Sequence, residues 1–178
     1  MQPPRFLKSI AGACLVALSG IGFALASCAT AADTGTASKV IPRLVKSKAE
    51  WRRVLPPERY QILFEDGTER VSTSPLNNEK RAGVYVCAAC NLPLFESTTK
   101  FESGTGWPSF SAPIPGRLET KHDYRLFTPR TEYHCVRCAG HQGHVFDDGP
   151  PPTGQRWCNN GLALLFVPTG EPLPALRE

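Results

Sequence analysis

Two Cys-x-x-Cys pairs, Cys87-Ala88-Ala89-Cys90 and Cys135-Val136-Arg137-Cys138, constrain this chain more than any other feature. A Cys-x-x-Cys turn presents two thiolates on one knuckle, and zinc takes four soft ligands in a tetrahedron. The knuckles are separated by residues 91–134, so they can share a metal only if the fold brings distant segments together. Two disulfides are the alternative, because an exported protein can form them. A redox dithiol is a third reading, but it opens a helix beside a strand, and neither pair has that setting. Spacing favours the metal. With four protein ligands such a site is structural, since no position stays open for substrate. A staple of that kind suits a small domain with a thin core.

Around the knuckles, the 17 prolines and 15 glycines cluster in short turns, which predicts many brief strands joined by loops. Helical signals come only early. Ser47-Lys48-Ala49-Glu50 has capping-box spacing and predicts a short helix through Trp51 and Val54. Pro56-Pro57 ends it, and Pro57 can open a second helix from Tyr60 to Phe64, closed by Gly67. Strands are expected at residues 83–86, 94–95, 98–101, 118–122, 125–128, 130–135, 144–146, 156–159 and 162–167. The fold class is therefore mainly β, with short N-terminal helices and no internal repeat.

The first segment reads as a processing signal. Arg5 and Lys8 precede residues 10–26, which are uncharged and almost wholly apolar or small. Gly12, Ser19, Gly20 and Gly22 dilute that run, which favours a signal peptide over residues 1–27 rather than a membrane span. Leu25-Ala26-Ser27-Cys28 resembles the bacterial lipobox, with Cys28 as a lipid anchor, while Ala29-Thr30-Ala31 offers an ordinary cleavage site instead. Residues 28–45 are expected as a flexible tether, 46–170 as the domain and 171–178 as a C-terminal tail. Export to a periplasm or envelope follows from this layout. Removing residues 1–27 takes two of the 20 basic residues and none of the 16 acidic ones, so the excess of four falls to two. No stretch packs Lys and Arg together, so a nucleic-acid footprint is not expected.

With Cys14 in the signal and Cys28 at its end, one cysteine remains besides the two knuckles. Cys158 lies in Arg156-Trp157-Cys158-Asn159-Asn160-Gly161, next but one to a cation on a predicted strand. A buried, inert thiol is one reading. A reactive thiol is the other, and it needs cations or donors around its thiolate. His141 and His144 are candidates for acid–base work in such a site, although either ring can equally be a structural residue or a minor metal ligand. Gly104-Thr105-Gly106-Trp107-Pro108-Ser109-Phe110 specifies a turn that fixes an aromatic ring, against a core or a pocket.

These strings together resemble the methionine-R-sulfoxide reductase family, MsrB. The matching residues are Cys87-x-x-Cys90, the run from Ser103 to Phe110, Cys135-x-x-Cys138, Gly143-His144-Val145-Phe146, Asp148-Gly149-Pro150 and Arg156-Trp157-Cys158-Asn159-Asn160, in order, over roughly residues 49–166. The resemblance implies two small antiparallel sheets packed together, with a structural Zn2+ held by Cys87, Cys90, Cys135 and Cys138 away from the chemistry. It implies that Cys158 attacks the sulfoxide sulfur and is left as a sulfenic acid. It also implies that His144, His141 and Asn160 serve the sulfoxide oxygen, and that Trp107 receives the methyl group. Phe110 and Arg156 are further substrate-binding candidates, Arg156 also as a cation that lowers the thiol pKa. The implied partners are oxidised proteins or free methionine sulfoxide, and a thioredoxin-like or small-thiol reductant, acting on a monomer. A zinc-stapled β binding module without chemistry is the rival reading.

The chain departs from the family at three places. Thr105 stands where many members carry a second, resolving cysteine, so reduction of oxidised Cys158 by an external thiol is expected. Asn159 and Gly161 stand where Val or Ile and Ser are common.

Overall fold

A computed structural model of the chain describes residues 40–124 and 128–178. The expected signal peptide, Cys28 and the first part of the tether lie outside the described residues, as do residues 125–127 of the strand expected at 125–128. Among the described residues, no helix is long and apolar enough to cross a membrane.

Both helices form where local chemistry calls for them. In α1 (Lys48–Val54) the Ser47 hydroxyl accepts from the Glu50 N–H, and the Glu50 carboxylate accepts from the Ser47 N–H, closing the capping box. α2 (Pro57–Phe64) starts with Pro57, whose missing N–H costs nothing in a first turn. The helices are joined face to face by Trp51 stacked on Phe64, ring centroids 4.8 Å apart.

The remainder is β structure in two antiparallel sheets. β1 (Gly83–Cys87) lies between β2 (Pro93–Glu96) and β9 (Leu164–Pro168). The second sheet has six strands: β3 (Lys100–Phe101), β4 (Ser109–Phe110), β8 (Arg156–Asn159), β7 (His141–Phe146), β6 (Arg130–Cys135) and β5 (Leu118–Asp123), in that spatial order. Parts of two expected strands, at 98–101 and 162–167, are instead 3₁₀ turns at Ser97–Thr99 and Gly161–Ala163.

Side-chain alternation splits the larger sheet into two faces. Phe110, Trp157 and Tyr133 point into the core, where Phe110 stacks on Phe95 at 4.1 Å and meets Tyr85 edge-on at 4.9 Å. Their neighbours Ser109, Cys158 and Glu132 therefore point to the opposite face, where the polar residues collect. The domain also extends further than its expected limits. Ile41 and Leu44 pack on the core, and the Leu44 N–H donates to the Arg137 carbonyl at 2.6 Å. At the other end the segment 171–178, expected as a tail, lies against the first knuckle. The Arg177 N–H donates to the Cys90 carbonyl at 3.1 Å, Arg177 Nε to the Ala89 carbonyl at 2.6 Å, and Asn91 Nδ2 to the Ala175 carbonyl at 2.8 Å.

Candidate active site

The two knuckles are built alike. The Cys87 N–H donates to the Leu92 carbonyl and the Asn91 N–H to the Cys87 carbonyl; Cys135 repeats this with Gly140 and Ala139. Each turn is closed by a residue in the left-handed region, Asn91 at φ 62° and Ala139 at φ 57°. The fold brings the four thiols into one buried cluster, with Cys87–Cys138 and Cys90–Cys135 sulfurs each 3.6 Å apart. Disulfide sulfurs would be about 2.05 Å apart. A tetrahedron of sulfurs at about 2.3 Å from a central zinc has edges of about 3.8 Å. The geometry is that of a tetrathiolate metal site. Hydrogen bonds among the four thiols push Cys87 and Cys138 well above the ordinary thiol range and Cys90 below it, so in the cluster some thiols are held protonated while another is held ionised.

The fifth thiol is held elsewhere. Cys158 on β8 faces Ser109 on β4 and His144 on β7; His144 faces Glu132 on β6, and Glu132 faces Lys121 on β5. One row of functional side chains thus crosses five strands. Gly143 permits the approach of β7 to β8, because a Cβ there would lie 1.9 Å from the Cys158 carbonyl oxygen. His141 and His144 are three positions apart, which on a regular strand would put them on opposite faces. A bulge resolves this: β6 shifts register after Tyr133, so His134 pairs with His141 and Gln142 becomes the extra residue. The two rings end 5.5 Å apart.

Each histidine meets a carboxylate that is capped by a cation. His144 Nε2 donates to Asp123 Oδ2 at 2.8 Å, and Arg130 Nη2 donates to the same oxygen at 2.6 Å. His141 Nδ1 lies 3.0 Å from Glu132 Oε1, which also faces Lys121 Nζ at 3.2 Å. Because a carboxylate only accepts, Nε2 carries the hydrogen of neutral His144 and Nδ1 carries the lone pair. Burial lowers the pKa of His144, against the raising effect of its bond to Asp123. Burial also pushes the Cys158 thiol up, and Arg156, Thr105 and Ser109 pull it back without cancelling the rise.

A cavity of about 120 Å³ opens above this row, lined by Thr68, Trp107, Arg130, His144, Phe146, Cys158, Asn160 and the backbone around Gly143. Trp107 and Phe146 give it an apolar wall; His144 and Arg130 give it a polar one. A roomier hollow between Arg52, Tyr60 and Glu65, about 700 Å³, contains no thiol. Size therefore does not mark the site.

The structure brings Cys158, His144, Trp107 and Asn160 together at this cavity and corrects the reading of three other residues. Phe110 does not line it: alternation on β4 sends Ser109 toward Cys158 and buries Phe110 fully in the core. Arg156 does not line it either. Its Nε and Nη2 are bonded to Asp148 at 2.8 and 3.0 Å and its guanidinium lies over Phe146, from where it acts on the thiol by its charge and by a side-chain hydrogen bond. His141 sits behind His144, only 3% exposed. Asn160 has both amide ends engaged by backbone, Nδ2 donating to the Gln142 carbonyl at 3.0 Å and Oδ1 accepting from the Glu69 N–H at 3.0 Å. Sequence reasoning missed Asp123, Arg130, Thr68, Phe146 and Glu69. Asp123 and Arg130 reach His144 through strand pairing, which leaves no local sequence signal.

Fold and site together define a β domain with a four-cysteine cluster able to hold a metal ion and one thiol set apart, opposite a histidine, at a small two-walled cavity. The SelR domain family matches residues 55–168. The chain is 52% identical over 128 residues to a peptide methionine sulfoxide reductase MsrB of Agrobacterium fabrum, covering 71% of this chain and 95% of the relative. It is 52% identical over 122 residues to the MsrB of Methanosarcina barkeri, covering 68% and 86%. Over 119 residues it is 52% identical to the chloroplastic peptide methionine sulfoxide reductase B1 of Arabidopsis thaliana, covering 66% of this chain and 59% of that one. The chain belongs to the MsrB family.

Proposed function

We propose that the chain reduces methionine-R-sulfoxide to methionine, with Cys158 as the nucleophile. The observation that carries this is Cys158 facing His144 across β8 and β7, beneath a cavity walled by Trp107. The sulfoxide offers a small apolar methyl and a strongly accepting oxygen on one chiral sulfur. An apolar wall opposite donors distinguishes its two epimers; the R assignment rests on the family.

The chemistry balances within the site. Neutral His144 Nδ1 takes the Cys158 proton, and the resulting imidazolium is stabilised by Asp123. The thiolate then attacks the sulfoxide sulfur as the imidazolium protonates the sulfoxide oxygen, and transfer of that hydroxyl to the Cys158 sulfur, with cleavage of the new S–S bond and of the substrate S–O bond, releases methionine. Cys158 is oxidised by two electrons to a sulfenic acid and the sulfoxide is reduced by two to methionine. Thr105 is within hydrogen-bonding reach of the thiol, and the other described cysteines belong to the buried cluster. An external dithiol, or two monothiols, therefore restores Cys158 with release of water. Free or protein-bound sulfoxide fits the open cavity.

Cys87, Cys90, Cys135 and Cys138 hold Zn2+ in this reading, as a structural ion joining β1 to β6. The signal at residues 1–27 exports the chain to a periplasm or envelope, Cys28 supplies a lipid anchor, and the domain acts as a monomer. The test of function is turnover of separated R- and S-sulfoxide peptides by the full chain with excess dithiothreitol. R-form turnover that is lost in Cys158→Ser is expected; a folded, metal-loaded chain inert toward both would point to a binding module.

A further inference from the structure

The polar and apolar walls of the cavity come from segments far apart in sequence, and one residue touches both. Glu69 is 6% exposed. Its carbonyl accepts from Trp107 Nε1 at 3.2 Å, and its N–H donates to Asn160 Oδ1 at 3.0 Å. Its carboxylate accepts from the N–H groups of Gly161 and Leu162, at 2.5 and 2.9 Å. Those N–H groups begin the 3₁₀ turn at Gly161–Ala163, whose leading residue Asn160 provides no side-chain cap of its own. An anion from outside the turn supplies the missing acceptor. The result is one residue fastened to the ring of Trp107, the amide of Asn160 and the backbone that follows Cys158.

We propose that Glu69 is the positioning residue that sets the distance between the Trp107 wall and the Asn160 wall, and so the fit of the substrate. The proposal rests on the reductase reading above. The main chain of Glu69 holds the Trp107 ring and the Asn160 amide, and its carboxylate anchors that main chain to the turn at Gly161 and Leu162, so loss of the carboxylate frees the main chain and widens the cavity while leaving the nucleophile and His144 on their strands. Transition-state and ground-state contacts to both walls then weaken together, which raises KM. The effect is large because misplacement of a binding group by about 1 Å costs up to about a hundredfold.

The experiment compares the full chain with Glu69→Gln and Glu69→Ala. Three quantities are measured: kcat and KM with an R-sulfoxide peptide, and the rate of Cys158 alkylation by iodoacetamide. Glu69→Gln keeps one acceptor oxygen and turns an amide against the other N–H; kcat/KM should fall about tenfold, mainly through KM. Glu69→Ala should fall about a hundredfold. Alkylation should stay within about twofold of wild type in both, since the thiol's surroundings are unchanged. Should Glu69→Ala not fold, Glu69→Gln decides alone. Unchanged kcat/KM in Glu69→Gln, or alkylation falling in step with kcat/KM, overturns the positioning role. A wild-type chain inert toward both epimers overturns the reductase reading, and this proposal with it.

Discussion

Gly161 departs from the serine that the family resemblance implies, and its surroundings explain why serine does not fit here. A Cβ built at residue 161 would lie 1.9 Å from Ser74 Oγ and 2.7 Å from Ser74 Cβ. Contacts under 3.0 Å force a shift. Ser74 cannot swing away freely, because its hydroxyl accepts from the Leu76 N–H and caps the 3₁₀ turn at Pro75–Asn78. Overpacking of this kind costs about 1–3 kcal/mol, and loss of the cap adds about 1 kcal/mol. Gly161→Ser should therefore destabilise the domain by about 2–4 kcal/mol. Ser74→Gly alone should cost only a few tenths, roughly 0.5 kcal/mol, as a glycine cap does. Combining the two empties the contested space, so the double variant should recover about 2 kcal/mol relative to additivity. Urea denaturation of the four proteins measures this directly. Gly161→Ser within about 0.5 kcal/mol of wild type, or strict additivity of the pair, would refute the steric argument.

Four further outcomes follow from the site and from the first knuckle. Burial raises the Cys158 pKa above 9.0 and lowers that of His144 below 6.5, so the neutral pair dominates between them. The kcat/KM profile should be flat across neutral pH. It should fall on the acid side as His144 becomes protonated and cannot accept the thiol proton, and on the alkaline side as the site loses that proton. Asp123→Asn removes an interaction that raises the His144 pKa, so it should move the acid limb lower and reduce kcat by about a hundredfold or more; an unmoved acid limb argues against the pair. Thr105→Cys should form a disulfide with Cys158 after one turnover, detected as a loss of two mass units, roughly two hydrogens; persistence of both thiols plus one oxygen would refute the proximity. Deleting residues 173–178 removes the Arg177 and Ala175 bonds to the first knuckle, so a competing chelator should extract metal about tenfold faster, and an unchanged rate would show that the contact is idle.

Local chemistry was legible in the sequence, and pairing was not. The Ser47–Glu50 capping box and Pro57 place α1 and α2 because both signals lie within one turn. The knuckles are equally local, and only the 3.6 Å sulfur spacing decides between metal and disulfides. Trp107 and Phe110 occur three residues apart in one motif, yet one lines the cavity and the other fills the core. Strand parity relative to Cys158 makes that choice, and it needs the β4–β8 register. His141 and His144 share a face only because of the bulge at Gln142. The Asp123 carboxylate depends on three paired strands before it reaches His144. Domain limits at 46 and 170 followed composition, whereas backbone hydrogen bonds from Leu44 and Arg177 carry the fold beyond both.

The most direct measurement is a single turnover without reductant. The full chain is mixed with one equivalent of an R-sulfoxide peptide, quenched with a sulfenic-acid trap, and digested for mass spectrometry. One methionine formed for each trapped sulfenic acid at Cys158, with the four knuckle cysteines unmodified, is the expected result. Methionine formed while Cys158 stays a free thiol, or oxidation that falls on Cys87, Cys90, Cys135 or Cys138 instead, would contradict the assignment of Cys158 as the nucleophile.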